Sequence, residues 1–205
     1  MQLMKGQAVR LVPRRGLSLG VSMIEVLVSI VISSIGLLAL AGVNAASVRY
    51  TKMSQYRATA TQLANDMGER MRANRGSPAS AVAPIKPDTG FFAGSYDFAS
   101  DFAGQATPAT LPTEQCNAAG SSCTPAQIAA LDLAQWRILV RDQLPEGSVF
   151  LVRQSAQIAM DLWVVWRDPA VADSDESPAL AAECPDALSR NSDLSIRCSY
   201  FRINL

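Results

Sequence analysis

The stretch Gly20-Val21-Ser22-Met23-Ile24-Glu25, followed by VLVSIVISSIGLLALAGVNAASV from Val26 to Val48, decides the reading of this chain. Glu25 is the only charge between Val21 and Val48. As a helix, the uncharged run would be about 34 Å long, enough to cross about 30 Å of bilayer hydrocarbon. In front of it lie Lys5, Arg10, Arg14 and Arg15, with no acid among residues 1–20. A basic flank ahead of a span stays in the cytoplasm, so the C-terminal body is expected on the far side of the membrane. An ordinary secretory signal has an apolar region of only about 7–15 residues before a small-residue cleavage site. Here the run is longer, and Ala39-Leu40-Ala41, a weak cleavage-like match, lies inside it.

Composition narrows the function classes. The chain has 205 residues, 18 basic and 18 acidic side chains, four Cys and no His. That excludes a disordered chain, a collagen-like chain and a multi-span membrane protein. Zero net charge argues against a nucleic-acid footprint, and loss of residues 1–20 would leave an excess of acid. Without His there is no His-based triad and no His-ligated zinc site. The chain carries no P-loop, no GxSxG and no paired-carboxylate constellation. The expectation is a non-enzyme with no cofactor and no metal.

Glu25 is the informative residue. An acid at the centre of a span costs about 2.5–3.5 kcal/mol on insertion scales, and less near an interface. One account places it at the cytoplasmic lip, or in a first helical turn where negative charge is favoured. The other has it meeting a cation from a second subunit, because an ammonium and a carboxylate desolvated together cost far less than either alone.

Gly20 to Glu25 with the run behind it resembles the processing signal of type IV prepilins and type II secretion pseudopilins. The resemblance implies cleavage between Gly20 and Val21 by a membrane prepilin peptidase, and N-methylation of Val21. It also implies that Glu25 neutralises the N-terminal amine of a neighbouring subunit. Val21 stands where major pilins commonly have Phe, which points away from a major pilin. The segment Leu63–Arg75, LANDMGERMRANR, and the pattern Asp132…Trp136…Leu144-Pro145 are similar to PilV-type minor pilins; the second also resembles I-type pseudopilins. The implied fold is α+β: a long N-terminal helix with its C-terminal half packed on an antiparallel β-sheet. The implied partners are other minor and major pilins, the inner-membrane assembly platform and a large tip adhesin of the PilC/PilY kind, with no nucleic acid. The implied location is the bacterial inner membrane with a periplasmic C-terminus, then the pilus. A minor pseudopilin of type II secretion, or a pilus-borne receptor for DNA or a surface, are the alternatives.

Periodicity supplies the rest. No Pro occurs between Val21 and Ser77, so one helix is expected from about Val21 to Arg75: residues 21–48 apolar all round and 49–75 amphipathic. Met53, Tyr56, Ala60, Leu63, Ala64, Met67 and Met71 form one face. Arg70, Arg72 and Arg75 suit a helix C-terminus. The head, residues 76–205, reads as an irregular loop over 76–124 with Phe91, Phe92, Tyr96, Phe98 and Phe102, then a helix over 125–144 opened by Thr124-Pro125. Strands follow at about 148–154, 157–167 and 194–203, the second placing Ile158, Met160, Leu162, Val164 and Trp166 on one face. Asp168, Asp173, Asp175 and Glu176 form an acidic loop that lacks an EF-hand pattern and is expected to be solvated, calcium binding being the alternative.

Cys116, Cys123, Cys184 and Cys198 all lie in the body expected outside the cytoplasm, where an even number implies disulfides. Four Cys allow three connectivities. Neighbour pairing, Cys116–Cys123 and Cys184–Cys198, is the expectation.

Overall fold

The computed structural model describes residues 20, 22–76, 88–116, 119–169, 183–189 and 193–205. The architecture is α+β: a long helix α1 (Met23–Ala73), a second helix α2 (Pro125–Gln143), and a three-stranded antiparallel sheet of β1 (Ser148–Gln154), β2 (Ala159–Arg167) and β3 (Ile196–Asn204) in the order β1-β2-β3. The chain divides into two compact units, Met1–Ser47 and Val48–Leu205.

The described part of the first unit is the opening of α1. Every described side chain from Ser22 to Ser47 is exposed, including Leu38 at 73% and Val43 at 67%. Two hydroxyls within it are satisfied locally: Ser29 Oγ donates to the Glu25 carbonyl and Ser34 Oγ to the Ile30 carbonyl, each at 2.7 Å. Such back-bonding lets Ser enter an apolar medium without an orphaned donor. By length and composition, α1 is the one helix among the described residues suited to cross a membrane.

The second unit is built around one core. Ala60, Leu63, Ala64, Met67 and Met71 of α1 meet Ala129, Trp136, Val140 and Leu144 from α2 and its end, and Leu151, Met160, Leu162, Val164 and Trp166 from the sheet. Tyr56 packs at its margin, 6.4 Å from Trp166 between ring centroids. Trp136 is fully buried, and its Nε1 donates to the Leu63 carbonyl at 2.8 Å, tying α2 to α1. The chain leaves α1 through Gly76 at φ +73°, where an added Cβ would lie 2.2 Å from the Thr89 carbonyl oxygen, so only glycine fits. Thr124 caps α2 as a capping box: its Oγ1 accepts from the Gln127 N–H at 3.3 Å, and Gln127 Oε1 accepts from the Thr124 N–H at 2.9 Å.

The opposite face of the sheet carries a smaller cluster of Phe150, Val165, Ile196 and Cys198, covered by Leu188, Phe102 and Cys184. The segment before α2 therefore packs on the body: Phe91 and Tyr96 are fully buried, and Phe98 bridges Leu151.

Strand and helix ends differ from the sequence reading. The second helix stops at Gln143, with Leu144 as its extended C-cap. The third strand begins at Ile196, not Leu194, and runs to Asn204. The second begins at Ala159, because Ser155–Gln157 forms a 3-10 turn and Ile158 takes a left-handed conformation, φ 49° and ψ 50°. Ile158 is therefore not a member of the core face. A β-branched residue in that region costs about 1–2 kcal/mol. Ile158→Gly is expected to stabilise the folded head by about 1 kcal/mol, read as a higher urea midpoint with an unchanged slope.

Candidate functional site

The segment Gly20–Glu25 begins at a residue that no described side chain packs against. Gly20 is exposed, and a Cβ added there meets nothing within 4 Å. Among the described residues, no packing imposes its lack of a side chain. Val21, and with it Lys5, Arg10, Arg14 and Arg15, lies outside the described residues. Ser22 opens α1: its carbonyl accepts from the Glu25 N–H at 3.0 Å and from the Val26 N–H at 3.3 Å. Glu25 consequently sits in the first turn of α1, where the helix dipole favours a carboxylate. It is exposed and surrounded by exposed apolar neighbours, Val26, Leu27, Val28 and Ile30 among them. Among the described residues no side chain partners this acid.

At the other end of α1, three groups read from the sequence as helix-end charge do more specific work. Arg70 Nε donates to Asp66 Oδ2 at 3.0 Å, and its Nη1 to Gln135 Oε1 at 3.1 Å and Asp132 Oδ1 at 3.4 Å. The Tyr96 hydroxyl donates to Asp132 Oδ2 at 2.7 Å and accepts from Asn74 Nδ2 at 3.0 Å, while Asn74 Nδ2 also donates to the Pro125 carbonyl at 2.7 Å. Burial, then the bond to Asp132, pushes the Tyr96 phenol well above its ordinary pKa. Arg72 pairs with Glu69 at 2.5 Å and reaches the Asn204 carbonyl at 3.4 Å. Arg75 lies over the Phe92 ring, 5.5 Å from its centroid. These three arginines are thus engaged with α1, α2, β3 and the loop, and do not form an open anion cradle. Asp132, Tyr96 and Asn74 are the members that periodicity did not single out. The local signal was the acid Asp132 on a helix whose neighbours are apolar.

All four cysteines are bonded, Cys116 to Cys123 and Cys184 to Cys198. The second bridge fixes the short segment before β3, where Glu183 pairs with Arg57 of α1 at 2.7 Å and with the buried Arg197 at 3.1 Å. In the acidic loop, Asp168 is buried, with its N–H donating to the Ser195 carbonyl at 2.7 Å. It is not a solvated loop residue. Asp173, Asp175 and Glu176 lie outside the described residues. Among the described residues no three His, Cys, Asp or Glu side chains gather as a metal site.

No protein-family model, curated protein or solved structure matches this chain.

Proposed function

We propose that the chain is a minor pilin of a type IV pilus, similar to the PilV type. In this reading residues 1–20 are removed after Gly20, Val21 becomes the methylated N-terminus, and α1 carries the subunit first in the inner membrane and then in the filament. The head carries partner specificity. Incorporation at low stoichiometry with other minor and major pilins would prime assembly and support twitching motility and adhesion. A tip adhesin and the assembly platform are the further partners.

The observation that carries the proposal is Glu25 in the first turn of α1, whose N-terminal part, Met23 to Ser47, is apolar and exposed throughout. Burying an unpaired carboxylate costs several kcal/mol, whereas pairing it with the new amine of an adjoining subunit removes most of that cost. Assembly would then be selective for cleaved chains, because only cleavage creates an amine at that depth.

Gly20→Ala tests this. The expected result is that most of the chain keeps its leader and that a strain carrying only this variant loses surface pili and twitching. Normal cleavage and normal pili in that strain would refute the proposal. If the strain keeps its pili and retains exoproteins in the periplasm, the chain belongs to a type II secretion pseudopilus.

A further inference from the structure

The two edges of the sheet are treated differently. In an antiparallel ladder, alternate residues of an edge strand turn their N–H and C=O outward. On β1 those residues are Val149, Leu151 and Arg153, and each is covered. The side-chain amide of Gln105 accepts from the Val149 N–H at 3.0 Å and donates to the Val149 carbonyl at 2.8 Å. Phe98 and Leu151 exchange two backbone bonds at 2.9 and 3.0 Å, and Asp97 Oδ1 accepts from the Arg153 N–H at 2.8 Å. Carried across the register, the same alternation turns Cys198, Tyr200 and Arg202 outward on β3. Among the described residues none supplies a backbone or side-chain partner to their main-chain groups. The ends of that edge are closed, at Ile196 by the Asp193 carbonyl and at Asn204 by Arg72, so the gap is confined to its middle.

A groove of about 540 Å³ follows this open stretch, with Arg57 and Thr61 of α1 and Glu183 along it and Trp163 and Tyr200 at its side. Its charged side chains are already matched: Arg57 to Glu183, and Asp161 to the Tyr200 hydroxyl at 2.7 Å and to Gln154 at 2.9 Å. What remains unmatched is main chain at alternate residues, about 7 Å apart, and an aromatic pair with centroids 4.9 Å apart. A sugar or an anion would find few free side-chain groups here. An extended peptide matches the spacing of the open groups, and an apolar or aromatic side chain on it would pack over Tyr200.

We infer that the β3 edge receives an extended segment of a neighbouring filament subunit, which adds a fourth strand at Cys198–Arg202. This rests on the pilus reading; it names the contact through which the head selects its neighbour. Contacts along a helical filament are heterologous, so the added strand comes from a different surface than β3 itself.

Two measurements on the full chain test it. In chain extracted from membranes with detergent, the amides of Cys198, Tyr200 and Arg202 should exchange with solvent at least about a hundredfold faster than those of Ser199 and Phe201, which face β2. In sheared pili, the 196–204 peptide should become protected. Arg202→Pro removes one outward N–H and leaves the bonds to β2 intact. The variant should start at Val21 and accumulate in membranes, yet fall at least tenfold in the pilus fraction, whereas Arg202→Ala should remain near wild type. Normal incorporation of the proline variant, or protection of these amides already in the extracted monomer, would overturn the inference. So would a dimer of the extracted chain with these amides protected, which would assign the edge to a second copy. If the proline variant fails to accumulate, the exchange result alone decides. Failure of the pilus reading looks different: wild-type chain would not start at Val21 and would be absent from pili.

Discussion

Trp136→Ala will cost the head about 3–5 kcal/mol, a large share of the 5–15 kcal/mol that holds an ordinary domain together. Trp136 is fully buried where α1, α2 and the sheet meet, so its removal leaves a void bounded by three elements that cannot close in together. The variant also loses the 2.8 Å bond from its Nε1 to the Leu63 carbonyl, the described side-chain bond that ties α2 to the middle of α1's buried face. Trp136→Phe should separate the two losses. It keeps most of the volume, drops the N–H, and should cost about 1–2 kcal/mol. Urea denaturation of the detergent-extracted chain, followed by far-ultraviolet circular dichroism, measures both. A loss below 1 kcal/mol for the alanine variant would mean that the core does not close around this side chain.

Glu25→Ala carries the second large effect, and it should be invisible in the isolated chain. Glu25 makes no described side-chain contact and is exposed, so stability of the head should not move. Processing should also continue, since Gly20 and Val21 are untouched. In the assembled pilus, however, the neighbour's ammonium would be buried without its partner. Breaking a desolvated pair by removing one member costs about 3–5 kcal/mol, which corresponds to a loss of about a hundredfold or more in incorporation. Quantifying the chain in sheared pili against the membrane fraction gives the ratio directly. Glu25→Asp, which keeps the charge on a shorter arm, should fall between wild type and alanine. Equal incorporation of Glu25→Ala and wild type would remove the reason for placing this carboxylate in the assembly step.

Much of the fold was legible because periodicity and punctuation agreed. The row Tyr56, Ala60, Leu63, Ala64, Met67 and Met71 is the face that packs, and the helix ends at Ala73, two residues short of the expected Arg75 and just before Gly76 with its positive φ. Thr124-Pro125 opens α2 with the expected cap. The misreading at Ile158 has a physical cause. Alternation of Ile158 with Met160 and Leu162 extends a strand pattern backward into a turn, and the left-handed position holds a β-branched residue in place of the Gly or Asn that would have announced it. The Arg70–Asp132–Tyr96–Asn74 network and the covering of β1 by Asp97, Phe98 and Gln105 were not legible. Each joins residues far apart in the chain, and their local sequence carries no periodic signal. At the candidate site the situation reverses. Gly20 and Glu25 stand out in the sequence, whereas the described residues give them no partner side chain; on the proposed function, the groups they meet would belong to a peptidase and to a neighbouring subunit.

The N-terminal residue of the chain extracted from membranes tests the central claim most directly. Intact-mass measurement and N-terminal sequencing should find a chain that begins at N-methylated Val21 and whose cysteines are all in disulfides. A chain that still begins at Met1, or one that begins inside the apolar run between Val26 and Val48, would contradict it.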